Sequence, residues 1–230
     1  MNTPLLTLEN VGCHFRVRLG GLRFKTYQAI RDISFTVARG ETLGVIGRNG
    51  AGKSTLLKLV AKILRPSNGT IKFHSRLSIS LLSLQLGFSP ELKGRDNAIM
   101  GAMLLGYTKR EAIGRLDSII EFAELGERIE DPLKTYSSGM RARLGFAVAM
   151  IMNPDILLVD EALGVGDEAF RKKSTKVMHE KMLSGQTVIF VSHNIHTVRQ
   201  LCTRVLWLED GVVKMQGGTD QVLETYLNEG

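Results

Sequence analysis

The stretch of the chain best suited to chemistry is a glycine-rich loop that ends in lysine and serine. In the segment 47-GRNGAGKST-55, Gly47, Gly52, Lys53 and Ser54 fit the spacing G-x-x-x-x-G-K-[ST]. Glycines allow the backbone to curl until successive N–H groups point at a triphosphate, and the following helix adds its positive N-terminus. Lys53 can then reach the outer phosphates, and the Ser54 hydroxyl can ligate Mg²⁺. The alternative is a glycine-rich turn that only caps a helix.

Two adjacent carboxylates follow an apolar run further along the chain, in 156-ILLVDE-161. Open α/β sheets bind their ligands at the carboxyl ends of the strands, and Asp160 and Glu161 would stand at such an end. Asp160 could hold Mg²⁺ through its water shell, and Glu161 could accept a proton from an attacking water. A strand that ends in Asp-Glu is common by itself. Downstream of a phosphate loop, the pair is predicted to be its catalytic partner.

A histidine follows the next apolar run, in 191-VSHN-194. A single histidine after a strand is usually structural or solvated. If its strand lies beside residues 156–159, however, His193 reaches the same sheet edge as Glu161. There its imidazole could orient the attacking water or sense the terminal phosphate.

A small polar loop runs into a basic helix in 134-KTYSSGMRARLGF-146. Ser137 or Ser138 can cap that helix by accepting a backbone hydrogen bond, which is an ordinary helix start. The N-terminus of a capped helix is also a site for phosphate. This stretch alone does not distinguish the two interpretations.

The elements that must position these residues alternate between strands and helices. Apolar or alternating runs predict strands at residues 5–11, 33–37, 42–46, 70–73, 156–159, 187–191, 205–209 and 212–216. Helical spacing and capping signals predict helices at residues 54–64, 95–106, 108–126, 139–152, 167–183 and 219–227. Strands that alternate with helices indicate an α/β fold whose parallel sheet carries an inserted helical subdomain.

Composition narrows the class of protein. Of the 230 residues, 43% are apolar and 23% are charged, as in ordinary globular proteins, and we expect neither a signal peptide nor a membrane span. Cys13 and Cys202 lack metal-ligand spacing and suit a reducing compartment. The formal charge of +7 indicates either an anionic partner or simply a solvated basic surface.

In the order in which they occur, these motifs resemble the nucleotide-binding subunit of an ABC transporter, and the resemblance covers nearly the whole chain. It implies an ABC ATPase fold, in which a phosphate-loop ATPase core with a parallel sheet carries an N-terminal antiparallel β subdomain and an inserted α-helical subdomain. It implies a single domain over residues 1–230. The catalytic core would comprise residues 1–85 and 151–230, and the helical subdomain with the signature loop would comprise residues 86–150.

The resemblance also implies ATP and Mg²⁺ as cofactors and a second copy of the chain as a partner. In such a head-to-tail dimer, each ATP lies between the phosphate loop of one subunit and the signature loop of the other. Lys53, Glu161 and His193 would be catalytic, and Ser54, Gln85 and Asp160 would serve Mg²⁺. The phosphate-loop residues that would contact ATP are Gly47, Asn49, Gly50, Ala51, Gly52, Lys53, Ser54 and Thr55.

Further residues are assigned through the same resemblance. Ser137 and Gly139 would contact the γ-phosphate of the partner's ATP, and Asp167 would lie in the loop that crosses the dimer interface. Phe15 would stack on adenine, with residues 16–28 forming a long loop before the next strand. The family signature usually reads Leu-Ser-Gly-Gly-Gln, whereas residues 136–140 of this chain read YSSGM and depart from it at three positions.

Finer features resemble one branch of the family, the ATPases that export O-antigen, capsule or teichoic acid polymers. The stretches that carry this resemblance are 87-GFSPELKGRDN-97, 136-YSSGMRARL-144 and 160-DEALGVGDEAF-170. They imply a separate membrane permease as partner, with Gln85 facing it, and only indirect contact with the exported polysaccharide. The chain would then lie at the cytoplasmic face of the bacterial inner (cytoplasmic) membrane, held there by the permease.

Two alternatives stay open at this point. One is the ATPase of another ABC transporter, such as a drug exporter or an importer. The other is a soluble ABC ATPase that acts on DNA or the ribosome and uses the +7 charge. Against the latter, the segment between the phosphate loop and the signature is too short for a long coiled coil, and the chain has one cassette rather than two. We therefore expect no nucleic-acid partner.

Overall fold

The computed structural model describes residues 4–20, 23–82, 87–160 and 166–229. The strands within these ranges are β1 (Pro4–Gly20), β2 (Arg23–Ala38), β3 (Thr42–Ile46), β4 (Asn68–Phe73), β5 (Ile79–Leu81), β6 (Ile156–Val159), β7 (Thr187–Val191), β8 (Arg204–Glu209) and β9 (Val212–Gly218). The helices are α1 (Lys53–Val60), α2 (Gly94–Leu104), α3 (Lys109–Gly114), α4 (Leu116–Ala123), α5 (Ser138–Met152), α6 (Glu168–Leu183), α7 (Ile195–Leu201) and α8 (Thr219–Glu229). Short 3₁₀ helices occupy Gly126–Glu130 and Leu133–Thr135.

The chain divides into two compact units. The first comprises Met1–Arg76 and Met182–Gly230, and the second comprises Leu77–Lys181. The narrower division predicted from the sequence, with a helical subdomain at residues 86–150, stays a prediction.

The sheet of the first unit combines antiparallel and parallel strands in the order β4-β1-β2-β9-β8-β3-β7. β1 pairs antiparallel with both β2 and β4, whereas β3 pairs parallel with β7 and with β8. The predicted strands β8 and β9 form an antiparallel hairpin around a turn at Asp210 and Gly211, where both residues have positive φ. The predicted antiparallel N-terminal part and the predicted parallel core are therefore both found.

The short apolar runs of this sheet are its most buried strands. Every residue of β3 and β7 is buried, as is expected of strands covered on both faces. α1 contributes Leu56, Leu57 and Leu59 to the core, and each such side chain stabilises the fold by about 1.5–3 kcal/mol when fully buried. The helix ends at Val60, before the predicted residue 64, because Lys62 adopts a left-handed φ and the next two N–H groups turn back to the Lys58 carbonyl.

The prediction of a long loop at residues 16–28 is wrong. β1 and β2 continue as a paired ribbon through this segment, with Arg16 opposite Thr26, Val17 opposite Lys25 and Arg18 opposite Phe24. β-branched and aromatic residues such as Val17, Phe24 and Tyr27 favour the extended backbone found here.

The second unit begins with a parallel pair, β5 and β6. A reciprocal contact holds their starts together: Asp155 Oδ2 accepts hydrogen bonds from the Ser78 N–H at 2.8 Å and the Ser78 hydroxyl at 2.7 Å. The Asp155 N–H in turn donates to the Ser78 hydroxyl at 2.9 Å. These bonds hold the starts of β5 and β6 in their parallel register.

Helices α2 to α5 share one apolar core in the second unit. The predicted helix at residues 108–126 is two helices, because Arg115 leaves helical geometry with φ −111° and donates from its guanidinium to the Ile151 carbonyl at 2.8 Å. The capping box predicted at Thr108 is confirmed, with Glu111 as its reciprocal partner. The fully buried members of this core include Ala98, Ala102, Ala112, Ile119, Ala123, Leu144 and Ala147.

Candidate functional site

The phosphate loop follows β3 directly, and two of its glycines lie where no side chain fits. A Cβ on Gly47 would stand 2.1 Å from the Leu208 carbonyl oxygen, and one on Gly52 would stand 2.6 Å from the Ala29 carbonyl oxygen. Both glycines also have positive φ, 143° and 102° respectively. The loop is thus held closely against β8 and β2. Only glycine both lacks a Cβ that would clash there and readily adopts the positive φ.

Lys53 is the first residue of α1 and is buried. Its ammonium group donates hydrogen bonds to the carbonyl oxygens of Gly47 at 2.6 Å and Arg48 at 3.0 Å. The cation is therefore kept at the loop itself, beside the positive end of the helix dipole. Ser54 follows in the first turn, with its side chain exposed. These residues fit a polyphosphate, because a buried cation, a helix N-terminus and an accessible hydroxyl stand within three consecutive positions, from Gly52 to Ser54.

His193 and the phosphate loop leave the sheet at the same edge. In the parallel pairs, Val45 of β3 is aligned with Val191 of β7, and Ile46 is aligned with Trp207 of β8. The residues that follow β3 and β7, Gly47 and His193 among them, consequently lie at neighbouring strand ends. His193 is exposed there, where its imidazole is accessible to a ligand.

Asp160 lies in the second unit, at the carboxyl end of β6 as predicted, and is half-buried. The predicted general base Glu161 lies outside the described residues, as does Gln85. Phe15 is half-buried on β1 and stands directly opposite Tyr27 of β2. Phe15, the predicted adenine-stacking residue, therefore has an aromatic neighbour in Tyr27. The sequence pattern does not reveal this neighbour, because the predicted loop at residues 16–28 includes Tyr27.

The signature loop ends in a capped helix. The Ser137 hydroxyl accepts a hydrogen bond from the Met140 N–H at 3.1 Å, which confirms a serine cap and assigns it to Ser137. Ser137 and Ser138 are both exposed. A Cβ on Gly139 would make ordinary van der Waals contacts at 3.7 Å and beyond, so this position would admit a Cβ without a clash.

Tyr136, which replaces the leucine of the usual signature, anchors this loop. Its ring is buried, and its hydroxyl donates to the Arg128 carbonyl at 2.6 Å. Burial raises the pKa of Tyr136, so the hydroxyl remains a donor at neutral pH. The departure from the family pattern thus gives the loop an additional hydrogen bond to the 3₁₀ segment at Gly126–Glu130.

Arg143 connects the signature helix to Asp167, a contact that no local sequence pattern predicts. Its guanidinium forms an ion pair with Asp167, reaches Glu124 at 3.4 Å and stacks over the Phe170 ring at 4.9 Å. The Phe170 N–H, and then the charge of Arg143, lower the pKa of the Asp167 carboxyl. Glu124 also pairs with Lys173 at 2.8 Å. Two basic residues on two helices thus hold the segment around Asp167.

The buried side-chain amide of Asn97 holds the loop before α2 in place. The sequence pattern does not predict this contact. The Asn97 side chain accepts from the Ser89 N–H at 2.7 Å and donates to the carbonyls of Ser89, Leu92 and Lys93 at 3.0–3.1 Å. An asparagine in a helix usually faces solvent, so the sequence alone does not show that Asn97 holds this loop. Its role is evident only from its hydrogen bonds to the backbone of residues 89–93.

Comparison with known proteins decides what kind of site this is. Residues 30–164, which include the phosphate loop, the signature loop and Asp160, match the ABC transporter family. The chain belongs to the ABC transporter family. This membership confirms the predicted enzyme class, an ABC-type ATPase.

Curated relatives within the family include proteins named for polymer export. The chain is 48% identical over 205 residues to the O-antigen export system ATP-binding protein RfbB of Klebsiella pneumoniae, covering 89% of this chain and 83% of that protein. It is 42% identical over 202 residues to the teichoic acids export ATP-binding protein TagH of Lactococcus lactis, covering 88% of this chain and 43% of that protein. The predicted resemblance to this branch of the ABC family is confirmed.

Solved structures confirm the ABC ATPase fold. An ATP-binding subunit of an ABC transporter superposes with a TM-score of 0.76 at 24% identity, covering 98% of this chain and 95% of that one. A dimeric ATP-binding cassette in a post-hydrolysis state, bound to ADP and Pi, superposes with a TM-score of 0.73 at 22% identity, covering 93% of this chain and 98% of that one. Throughout the described ranges, every helix falls short of the length and apolarity needed to span a bilayer.

Proposed function

We propose that this chain binds and hydrolyses ATP to power the export of a cell-surface polysaccharide of the O-antigen, capsule or teichoic acid type through a separate membrane permease. The observation that carries the proposal is the 48% identity to an O-antigen export ATP-binding protein across 89% of the chain. The phosphate loop supports it, because the carbonyls of Gly47 and Arg48 hold the buried Lys53 ammonium at the loop, where a polyphosphate would bind.

The chain's own residues divide the work of binding. The loop backbone and Lys53 hold the outer phosphates, while the Ser54 hydroxyl and the Asp160 carboxylate serve Mg²⁺ directly and through water. Mg²⁺ is usually held by one or two carboxylates together with substrate phosphates and water, so the nucleotide phosphates would complete its shell here. When bound, Mg²⁺ neutralises charge that develops on the phosphates. Phe15, with Tyr27 beside it, supplies an aromatic surface for adenine.

Hydrolysis requires a base and a group that orients water. Glu161, which follows Asp160, accepts the proton of the attacking water, and His193 orients that water or senses the γ-phosphate. A Glu161→Gln variant is expected to trap a closed, ATP-loaded dimer.

Two copies of the chain complete each site. The exposed N-terminus of α5 presents Ser137 and Gly139 to the ATP bound by the other copy, and Asp167 crosses the interface beside it. Arg143 acts as a positioning residue, because it links α5 to Asp167 and so keeps both interface segments in one arrangement.

The permease docks near Gln85 and α2. Because the permease lies in the bacterial inner membrane, the chain acts at the cytoplasmic face of that membrane. Support comes from an open cleft of about 550 Å³ at α2 that is mostly apolar, with one acidic and one basic residue. Half-exposed Met103 and Leu104 would be covered by an apolar segment of the permease. The residues lining the cleft are Asp96, Ile99, Met100, Met103, Leu104 and Lys109.

The test combines the chain, in proteoliposomes, with a membrane permease of a polysaccharide export system from the same bacterium. We expect ATP hydrolysis to be stimulated by the permease and further by a lipid-linked polysaccharide, and we expect a chromosomal Lys53→Ala change to abolish surface polymer. Stimulation by drugs or small solutes, with surface polymer intact in the variant, would favour another ABC transporter. Stimulation by nucleic acid without any permease effect would contradict the transporter assignment.

A further inference from the structure

The outer half of the β1–β2 hairpin is a two-stranded ribbon, which we call the basic arm and define as residues 14–20 and 23–28. Its pairing runs from His14 opposite Gln28 to Gly20 opposite Arg23. β4 accompanies β1 as far as Gly12, and the β2–β9 bridge lies at Asp32, beyond the base of the arm. In the described part of the chain, no third strand pairs with the arm.

Large apolar side chains of the arm are exposed to solvent. Leu19 is 64% exposed, Phe24 is 51% exposed, and Val17 and Tyr27 are each 50% exposed. Single exposed apolar residues are ordinary, but four within eleven positions of one ribbon form a patch. Such patches mark surfaces that bind a partner or a membrane.

The arm is also strongly basic. It carries Arg16, Arg18, Arg23 and Lys25, and the chain has no acidic residue between Glu9 and Asp32, so the arm holds +4 of a formal net charge of +7. The Arg16 guanidinium lies 4.9 Å from the centre of the Phe24 ring, which keeps a cation and an aromatic side chain together at the surface.

The register distributes these side chains over two faces. Directly paired residues of an antiparallel ribbon share a face, so Val17 and Lys25 lie on one face and Arg18 and Phe24 on the other. Each face therefore combines an apolar side chain with a cation. Long basic side chains can extend to headgroup phosphates while their neighbours enter the acyl boundary.

We propose that the basic arm binds the surface of an anionic lipid bilayer, with Leu19 and Val17 entering the interface and Arg23 and Lys25 contacting lipid phosphates. Charge complementarity selects this occupant over a neutral surface. Basic residues can also protect edge strands from aggregation, but protection would not place four exposed apolar side chains beside them. Nucleic acid would use the aromatic rings for stacking and leave Leu19 and Val17 without a role.

The test is co-sedimentation of the purified full chain with phosphatidylcholine vesicles, with and without phosphatidylglycerol. We expect binding to the anionic vesicles that weakens strongly at about 1 M salt, where screening is nearly complete. The double variant Arg23→Gln/Lys25→Gln should bind about 25-fold more weakly, because each basic residue near an anionic surface contributes roughly fivefold. The matched control Arg171→Gln/Lys176→Gln removes two exposed charges from α6 and should bind as the wild type does.

A second variant separates the apolar contribution. Val17→Ser/Leu19→Ser should weaken vesicle binding while keeping its salt dependence, and a Leu19→Trp reporter should shift its emission to the blue on anionic vesicles. Unchanged unfolding midpoints and nucleotide affinity would show that the variants remain folded. Binding equal to wild type in both arm variants would overturn the proposal, as would wild-type binding to RNA oligomers without binding to vesicles. ATPase stimulation by the permease is measured separately, so failure here leaves the proposed export function intact.

Discussion

Two helices of this chain, α1 and α5, begin in ways that suit a phosphate, yet their first turns differ. α1 starts behind Gly52, in left-handed backbone, and the buried Lys53 ammonium is bound to carbonyls of the preceding loop. α5 starts behind Ser137, an exposed serine whose hydroxyl caps the Met140 N–H. One start is enclosed and carries its own cation, whereas the other is open.

The difference assigns different tasks to the two helix starts. A helix N-terminus alone contributes modestly to anion binding, typically about 0.3–1 kcal/mol at an exposed site, so a cation is needed to hold a polyphosphate firmly. Lys53 supplies that cation at α1, while the first residues of α5 are Ser138, Gly139 and Met140. α5 is therefore suited to complete a phosphate site that is held mainly by another loop.

The largest expected effect comes from removing the cation at α1. Lys53→Ala should lower ATP hydrolysis by about 10²–10³-fold and weaken nucleotide binding, because no other side chain of the loop replaces its contacts. Steady-state ATPase rates and a fluorescent-nucleotide titration measure the two effects. Lys58→Ala, which removes an exposed lysine from the same helix, serves as the control and should change neither. A wild-type ATPase rate in Lys53→Ala would contradict the assignment.

Blocking the open start should separate hydrolysis from binding. Ser137→Arg places a large side chain where the partner's phosphate would lie, so hydrolysis should fall to near background while nucleotide binding by the monomer stays within about twofold. Thr108→Arg is a matched control, since it also replaces an exposed N-cap, at α3. Loss of monomer binding in Ser137→Arg would show that this loop serves its own chain.

Removing the Arg143 contacts at the start of α5 should have a smaller effect than the two changes above. Arg143→Gln removes the ion pair with Asp167 and the stacking on Phe170, and we expect kcat to fall about tenfold through misplacement of the interface segments, with nucleotide affinity unchanged. Arg143→Lys should recover only part of the rate, because lysine cannot stack or pair in the same geometry. If the variant merely unfolded at lower temperature with normal kcat, Arg143 would be structural only.

The smallest effect concerns pH. The pKa of Asp167 is lowered in the folded chain, first by the Phe170 N–H, so its stabilising contribution is present above the unfolded pKa and is lost as pH falls through the folded pKa. The difference in urea midpoint between wild type and Asp167→Asn should be constant from about pH 6 to 8 and should shrink below about pH 4. A difference that instead grows on acidification would contradict this sign.

Local signals explain what could be predicted from the sequence. The phosphate loop depends on closely spaced residues, Gly47 to Ser54, whose glycines meet immediate steric demands. The Ser137 cap and the Thr108 capping box likewise involve partners three residues away. Buried strands such as β3 are recognisable because each is short and mostly apolar on both faces.

The features that could not be predicted from the sequence depend on contacts between residues that are far apart in the chain. Arg143 acts through Glu124 and Asp167, and the break at Arg115 depends on the Ile151 carbonyl, so neither is visible in a local pattern. The basic arm was mistaken for a loop because its charges conceal the alternation of its strands. In each case the decisive partner lies on another element.

Each ATP site of the proposed dimer is built from two chains, and mixing two inactive variants tests this most directly. A dimer of one Lys53→Ala chain and one Ser137→Arg chain retains one intact pairing of phosphate loop and signature loop. The native thiols would not interfere with thiol cross-linking of the mixed dimers, because burial raises the pKa of Cys13 and brings that of Cys202 to about 12.

We predict that an equal mixture of the two variants hydrolyses ATP at about a quarter of the wild-type rate, since half the dimers are mixed and each has one of two sites. Each variant alone should remain near background. A mixture as inactive as its parents, with cross-linking proving that mixed dimers are present, would contradict the composite site.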